Sequence, residues 1–198
     1  MREWGNSMDK NKIITFFDAL ADNWDANQER NEKAIDFILT KGGITDGVSV
    51  LDVACGTGIL FPDYTGRGAK VTGIDISPEM LRVAKEKFPD NELICADAES
   101  YVFKEKYDVI MIYNAFPHFP NPEKVLANLS NALKAGGRLT VAHGLSEEEL
   151  EKCHSTSAKD VSLPLPSKEK LSDMLSELFD VDVMVSDEEK YIVSGVKR

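Results

Sequence analysis

Apolar residues in this chain follow two alternating rhythms. Short, almost unbroken runs occupy Val48 to Val53, Ala69 to Ile76, Glu92 to Ala96, Tyr107 to Tyr113 and Arg138 to Ala142. Their length and β-branched content are those of strands buried on both faces. Between them, apolar residues recur every three or four positions, as in Met80, Leu81, Ala84 and Phe88, and in Val125, Leu126, Leu129, Ala132 and Leu133. That spacing predicts amphipathic helices. Ser77-Pro78-Glu79 and Asn121-Pro122-Glu123 mark two helix starts, each with a capping residue, a first-turn proline and an acid near the positive end of the dipole. Ser167 opens a last helix carrying Leu171, Met174, Leu175, Leu178 and Phe179. Two closing strands, Val181 to Val185 and Tyr191 to Val196, are separated by Ser186-Asp187-Glu188-Glu189 and read as a hairpin. Five strand–helix alternations finished by a hairpin predict an α/β, doubly wound, mostly parallel seven-stranded sheet with an antiparallel C-terminal edge.

Two helices are expected ahead of this sheet. One spans Ile13 to Trp24, with Phe16, Phe17, Leu20 and Ala21 on a broad apolar face, and the other runs from about Glu29 to Thr40 and ends at Gly42-Gly43. Residues 1–45 thus read as a helical cap or lid on a sheet core of residues 46–198, the whole forming one domain. A further acidic helix is expected from Ser146 to about Ser157.

Composition narrows the setting. The 198 residues are 42% apolar and 29% charged, with a net charge of −11 spread along the chain. Such a surface repels phosphate backbones, and there is no Lys/Arg cluster to offset it, so a nucleic-acid partner is not expected. Cys55, Cys95 and Cys153 are too widely spaced for a disulfide framework or a zinc ribbon. Neither a signal peptide nor a membrane span is visible, and a soluble, cytoplasmic protein is expected.

The chemistry concentrates at strand ends. Val48 to Val53 breaks into Ala54-Cys55-Gly56-Thr57-Gly58, a turn whose glycines let backbone N–H groups approach a ligand. Phe61 stands where a dinucleotide fingerprint has its third glycine, and no lysine follows for a phosphate loop. An acidic, glycine-rich turn without a phosphate partner suits a nucleoside bearing an amine or a cation, although an ordinary glycine turn has the same appearance. Asp52, Asp75 and Asp97 end three successive strands, and a parallel sheet places all three carboxylates on one edge.

Together these segments resemble the class I S-adenosylmethionine-dependent methyltransferases, from roughly Phe16 to Val196. Leu51 to Gly58 matches that family's cofactor loop, with Ala54 where many members have glycine. Gly73-Ile74-Asp75-Ile76-Ser77 with Met80, Cys95-Ala96-Asp97-Ala98, and Leu133 to Leu139 resemble the later motifs. The resemblance implies a Rossmann-like methyltransferase fold binding S-adenosyl-L-methionine and releasing S-adenosyl-L-homocysteine. It places Asp52, Ala54, Gly56 and Gly58 along the methionine and ribose portions, Asp75 on the ribose hydroxyls, Ile76 and Met80 about the adenine, and Asp97 and Ala98 at its amine. Asn114 lies beyond the fourth strand, but the Pro-Pro-Tyr that marks methylation of base or glutamine amines is missing. The closer likeness is to the ubiquinone and menaquinone methyltransferases, implying a small-molecule acceptor under an N-terminal lid that includes Phe17 and Trp24.

Methyl transfer to oxygen or nitrogen calls for a base, and histidine serves at neutral pH. His118 follows the fourth strand and His143 ends the fifth, so either is expected at the acceptor edge, with His154 folding over the same mouth. No compact metal-ligand set is visible. A non-catalytic protein retaining the cofactor pocket and a nicotinamide dehydrogenase are the competing readings.

Overall fold

The computed structural model describes residues 8–27, 30–146 and 158–198. Seven strands form one sheet in the order β3-β2-β1-β4-β5-β7-β6. They are β1 (Ser49–Val53), β2 (Lys70–Asp75), β3 (Glu92–Cys95), β4 (Tyr107–Tyr113), β5 (Leu133–His143), β6 (Phe179–Ser186) and β7 (Tyr191–Lys197). The first five run parallel, and β7 pairs antiparallel with both β5 and β6. The chain winds outward from β1 through β2 to β3, then returns to add β4 on β1's other side. That reversal opens a crevice at the carboxyl ends of β1 and β4, where doubly wound sheets bind ligands.

Helices α1 (Lys10–Leu20), α2 (Glu32–Lys41), α3 (Phe61–Gly66), α4 (Pro78–Lys87), α5 (Pro122–Ala132) and α6 (Lys168–Leu175) accompany the sheet. Strand alternation feeds two separate cores. Ile110 and Ile112 of β4 pack with Leu126 and Leu129 of α5 and with Leu171 and Leu175 of α6. Val109 and Met111 pack on the other face with Ile38 and Leu39 of α2 and Phe61 and Tyr64 of α3. Burying each such aliphatic side chain contributes about 1.5–3 kcal/mol, which is why β4 is apolar at almost every position.

Several boundaries differ from expectation for identifiable reasons. The first helix begins at Lys10 because the Asp9 carboxylate accepts from the Asn11 N–H at 2.9 Å. It stops at Leu20 and gives way to 3-10 turns at Ala21–Asn23 and Asp25–Asn27. The side chains of Asp22 and Asp25 there are drawn to Arg82 and to Thr57 and Lys87. Ile13 is the buried residue of α1, so its apolar face is mainly not core. The second helix starts at Glu32, capped by the Asn31 side chain accepting from the Ala34 N–H at 3.1 Å. β5 begins directly after α5, absorbing the Ala135-Gly136-Gly137 turn as an irregularity opposite Tyr107 and Val109. Asn121 precedes α5 but does not cap it with its side chain, which instead donates to Glu99. The helix expected from Ser146 to Ser157 lies, but for Ser146, outside the described residues, as do Cys153 and His154.

Candidate functional site

A cavity of about 1080 Å³, counted with its open mouth, lies at the carboxyl ends of β1, β2, β3 and β4. The turn after β1 forms its floor. Ala54 (φ 55°) and Gly56 (φ 55°) are both left-handed, and the Cys55 N–H donates to the Ile74 carbonyl at 3.2 Å, zipping the turn to β2. The left-handed region costs a residue with a Cβ about 1–2 kcal/mol, so Ala54 is strained where the resemblance has glycine. Gly56 faces the cavity: a Cβ built on it lies 3.9 Å from both Met80 Sδ and Trp24 Nε1. Gly58 (φ +77°) faces elsewhere, since a Cβ there would stand 3.0 Å from the Phe61 ring and 3.1 Å from the Phe88 ring. Its lack of a side chain serves the packing of the turn rather than the cavity.

Asp75 is the best-held group in the site. It is buried, with Oδ2 accepting from the Gly56 N–H and Oδ1 from the Ser77 N–H, each at 2.8 Å. Burial raises its pKa and the backbone N–H donors pull against that rise. Each carboxylate oxygen offers two lone pairs, so capacity remains on both for further donors. Ile76 and Met80 line the cavity beside it. Ser77 caps α4 as its sequence predicts, accepting from the Met80 N–H at 3.1 Å, while its hydroxyl donates to Asp18 of α1.

Asp52 is placed differently from the expectation of a direct ligand contact. It is 3% exposed and sits beneath the turn, not among the residues that line the cavity. Burial and the nearby Asp75 charge push its pKa well up, and the neighbouring Tyr64 hydroxyl pulls it the other way. The cause is strand parity. Val53 points into the α5 core, so Asp52 points to the opposite face, where Tyr64 and Cys55 are also buried. Tyr64 is thus a core residue.

Asp97 and Ala98 line the far wall after β3. Lys10 of α1 donates to Asp97 Oδ2 and Glu99 Oε2, both at 2.6 Å. Burial works to raise the Asp97 pKa, but the Lys10 ammonium, the Glu99 N–H and the Ser100 hydroxyl outweigh it and bring it below its usual value. Asn114 (φ 53°) lines the wall after β4, donating its N–H to the Ala142 carbonyl at 2.9 Å and accepting from the Gly144 N–H at 3.0 Å.

The two described histidines part company. His118 lines the cavity, its ring 5.0 Å from that of Phe17, with Nδ1 2.8 Å from the Val161 carbonyl and 3.2 Å from the Ser162 hydroxyl. A carbonyl only accepts, so Nδ1 carries a proton toward Val161. His143, expected at the same edge, is fully buried, 5.9 Å from the ring of its cross-strand neighbour Tyr191, and does not line the cavity. Its place at a strand end was read correctly, but alternation puts it on the face of Val141 and Tyr191, inside the α6 core. Phe17 and Trp24, with ring centroids 5.6 Å apart edge to face, line the cavity from the N-terminal segment.

Lys10, Arg30, Glu99, Tyr113 and Phe119 also line the cavity and were not anticipated. Arg30 is held by Glu32, Asp63 and the Ile59 carbonyl, closing the side near α3. Only Glu99 had a sequence signal, its position two residues after a strand-end acid. Among the described residues no group of three or more His, Cys, Asp or Glu could hold a metal ion, and no helix is long and apolar enough to cross a membrane.

Comparison with known proteins follows the same outline. Residues 51–141 match a family model described as a methyltransferase domain. The chain is 31% identical over 144 residues to the demethylmenaquinone methyltransferase of Renibacterium salmoninarum, covering 69% of this chain and 61% of that one. It is 31% identical over 145 residues to the ubiquinone biosynthesis O-methyltransferase of Sodalis glossinidius, covering 67% and 58%. The chain therefore spans about three fifths of the curated relatives it matches. The magnesium protoporphyrin IX methyltransferase of Synechocystis, solved with bound S-adenosylhomocysteine, shares the fold at a TM-score of 0.73 and 17% identity, over 96% of this chain and all of that one.

Proposed function

We propose that this chain, which matches a methyltransferase-domain family model over residues 51–141, is a class I S-adenosylmethionine-dependent methyltransferase and transfers a methyl group from S-adenosyl-L-methionine to a small-molecule acceptor. The observation that carries the reading is the buried Asp75 carboxylate, fixed by the Gly56 and Ser77 N–H groups on the cavity floor with lone pairs to spare. The residues present fit such a cofactor. Asp75 can accept from a diol, Asp97 can accept from an amine, and the apolar residues Ile76 and Met80 line the same cavity.

When bound, the cofactor supplies an electrophilic methyl on a sulfonium, and the chain's own residues have to orient, desolvate and deprotonate. Ile13, Phe17 and Trp24 exclude water from above, the desolvation that an in-line displacement needs. His118 acts as general base through Nε2, with Nδ1–H committed to the Val161 carbonyl to fix tautomer and ring direction. Asn114 holds the ends of β4 and β5 together beneath it. The acceptor is a small molecule with an apolar body and one ionisable oxygen or nitrogen, and the chain's net charge of −11 disfavours nucleic acid in that place.

The test is methyl transfer itself. Labelled S-adenosylmethionine is incubated with a panel of phenols, catechols and small amines, and S-adenosylhomocysteine release is followed. Turnover on at least one acceptor that falls about 10²–10⁴-fold in His118→Ala supports the reading. Release on no acceptor, with the cofactor bound, refutes the catalytic proposal.

A further inference from the structure

Three polar residues of the N-terminal segment each reach one strand end of the cavity. Asp25 accepts from the Thr57 hydroxyl at 2.5 Å after β1. Asp18 accepts from the Ser77 hydroxyl at 2.5 Å and from the Glu79 N–H at 3.3 Å after β2. Lys10 donates to Asp97 and Glu99 after β3. Ile13 is the buried residue of α1, and Lys10 and Asp18 add polar contacts that hold the helix against the cavity wall.

The contact at β3 is asymmetric. The Glu99 side chain has no exposed surface, and its carboxylate also accepts from the Asn121 N–H at 3.0 Å and the Asn121 amide at 2.9 Å. A buried carboxylate held this way strongly retains its cation. The Asp97 side chain is 26% exposed, and its Oδ1 accepts only the Glu99 N–H at 3.0 Å among the described residues. An ammonium has three donors, so Lys10 can stay on Glu99 while Asp97 receives another donor.

We propose that Lys10 is a positioning residue linking the N-terminal helix to recognition of the cofactor's purine amine. Anchored on Glu99, its ammonium keeps Asp97 ionised and directed along the cavity wall, where Asp97 takes the amine as its next donor. Cofactor binding and seating of α1 over the cavity are thereby coupled through one side chain. The proposal rests on the reading of the cavity as an S-adenosylmethionine site.

The test uses the full chain, titrated calorimetrically with S-adenosylhomocysteine and with the analogue lacking the purine amine, for wild type, Lys10→Met and Lys10→Arg. Hydrogen exchange of α1 is followed in parallel. Wild type is expected to discriminate between the two ligands by about tenfold, the size of one charge-assisted hydrogen bond. Lys10→Met narrows that ratio to about twofold or less and removes ligand-induced protection of α1, while Lys10→Arg restores both. Glu99→Gln, which keeps the shape of the buried group, gives the same narrowing, and thermal scans establish that each variant is folded. An unchanged ratio in Lys10→Met, or tighter binding of S-adenosylhomocysteine by that variant, overturns the coupling. A wild type that binds neither ligand refutes the cofactor reading as well, so the two failures are told apart.

Discussion

Gly56 and Gly58 occupy the same turn and share a left-handed backbone, yet replacing each with alanine is expected to damage different properties. In Gly58→Ala the new methyl lies 3.0–3.1 Å from the Phe61 and Phe88 rings, at φ +77°. Left-handed strain of about 1–2 kcal/mol adds to overpacking of about 1–3 kcal/mol, so a stability loss of about 2–5 kcal/mol is expected. In Gly56→Ala the nearest atoms, Met80 Sδ and Trp24 Nε1, are 3.9 Å away, so the strain stands alone. The methyl projects into the cavity, however, and displacing the ligand by a few tenths of an ångström is expected to weaken S-adenosylhomocysteine binding about thirtyfold, or ~2 kcal/mol. Urea unfolding with a common m-value measures the first quantity and calorimetric titration the second. A second-site Phe88→Leu change should return part of the stability lost in Gly58→Ala, because it removes one of the two rings. Equal stability losses in the two variants, or full ligand affinity in Gly56→Ala, would refute the division of roles.

Other expectations follow from the same geometry. Asp75→Asn places an amide NH₂ against the Gly56 or Ser77 N–H and removes the charge, so S-adenosylhomocysteine affinity should fall by about 2–4 kcal/mol. Stability should change less, since the buried charge is no longer desolvated, and titration with urea unfolding checks both. His143→Ala should lower stability by about 2–4 kcal/mol through the space left beside Tyr191, with S-adenosylhomocysteine affinity unchanged, whereas His118→Ala should lose turnover. Asp108 is held down to about 2 from the ordinary 3.8 by Lys134 and Ser49. A depressed carboxylate stabilises the fold fully above its unfolded pKa and loses that contribution as pH falls through its folded one. The gap in urea midpoint between wild type and Asp108→Asn should therefore close between about pH 4 and pH 2, and its persistence at pH 2 would argue against this pairing.

What the chain disclosed in advance depended on whether the cause was local. The parallel strands and the Ser77 cap were legible because a strand needs only its own apolar run, and a cap only the next three residues. Asp75 and Asp97 were legible for a related reason: charge at the end of an apolar strand marks the sheet edge. The edge, however, does not give the face. Asp52 and His143 lie at the edge as expected, yet strand parity turns both side chains into the cores, Asp52 beside Tyr64 and His143 beside Tyr191. Gly58 was indistinguishable from Gly56 because the difference lies in Phe88, thirty residues away in the chain. Lys10 was invisible for the same reason. Its partner Asp97 is 87 positions distant, and only the folded chain brings them within 2.6 Å. Asn121 carried a valid capping pattern that was overridden, since buried Glu99 has the stronger need for a donor.

The central claim is that the cavity at the strand ends is an S-adenosylmethionine site built on Asp75. The most direct measurement is calorimetric titration of the wild-type chain and of Asp75→Asn with S-adenosylhomocysteine, with NAD as the competing ligand. The account predicts one-to-one binding of S-adenosylhomocysteine to wild type, binding weaker by about 2–4 kcal/mol in folded Asp75→Asn, and no binding of NAD. Binding of NAD in preference, or S-adenosylhomocysteine affinity left unchanged by the loss of the Asp75 charge, would contradict it.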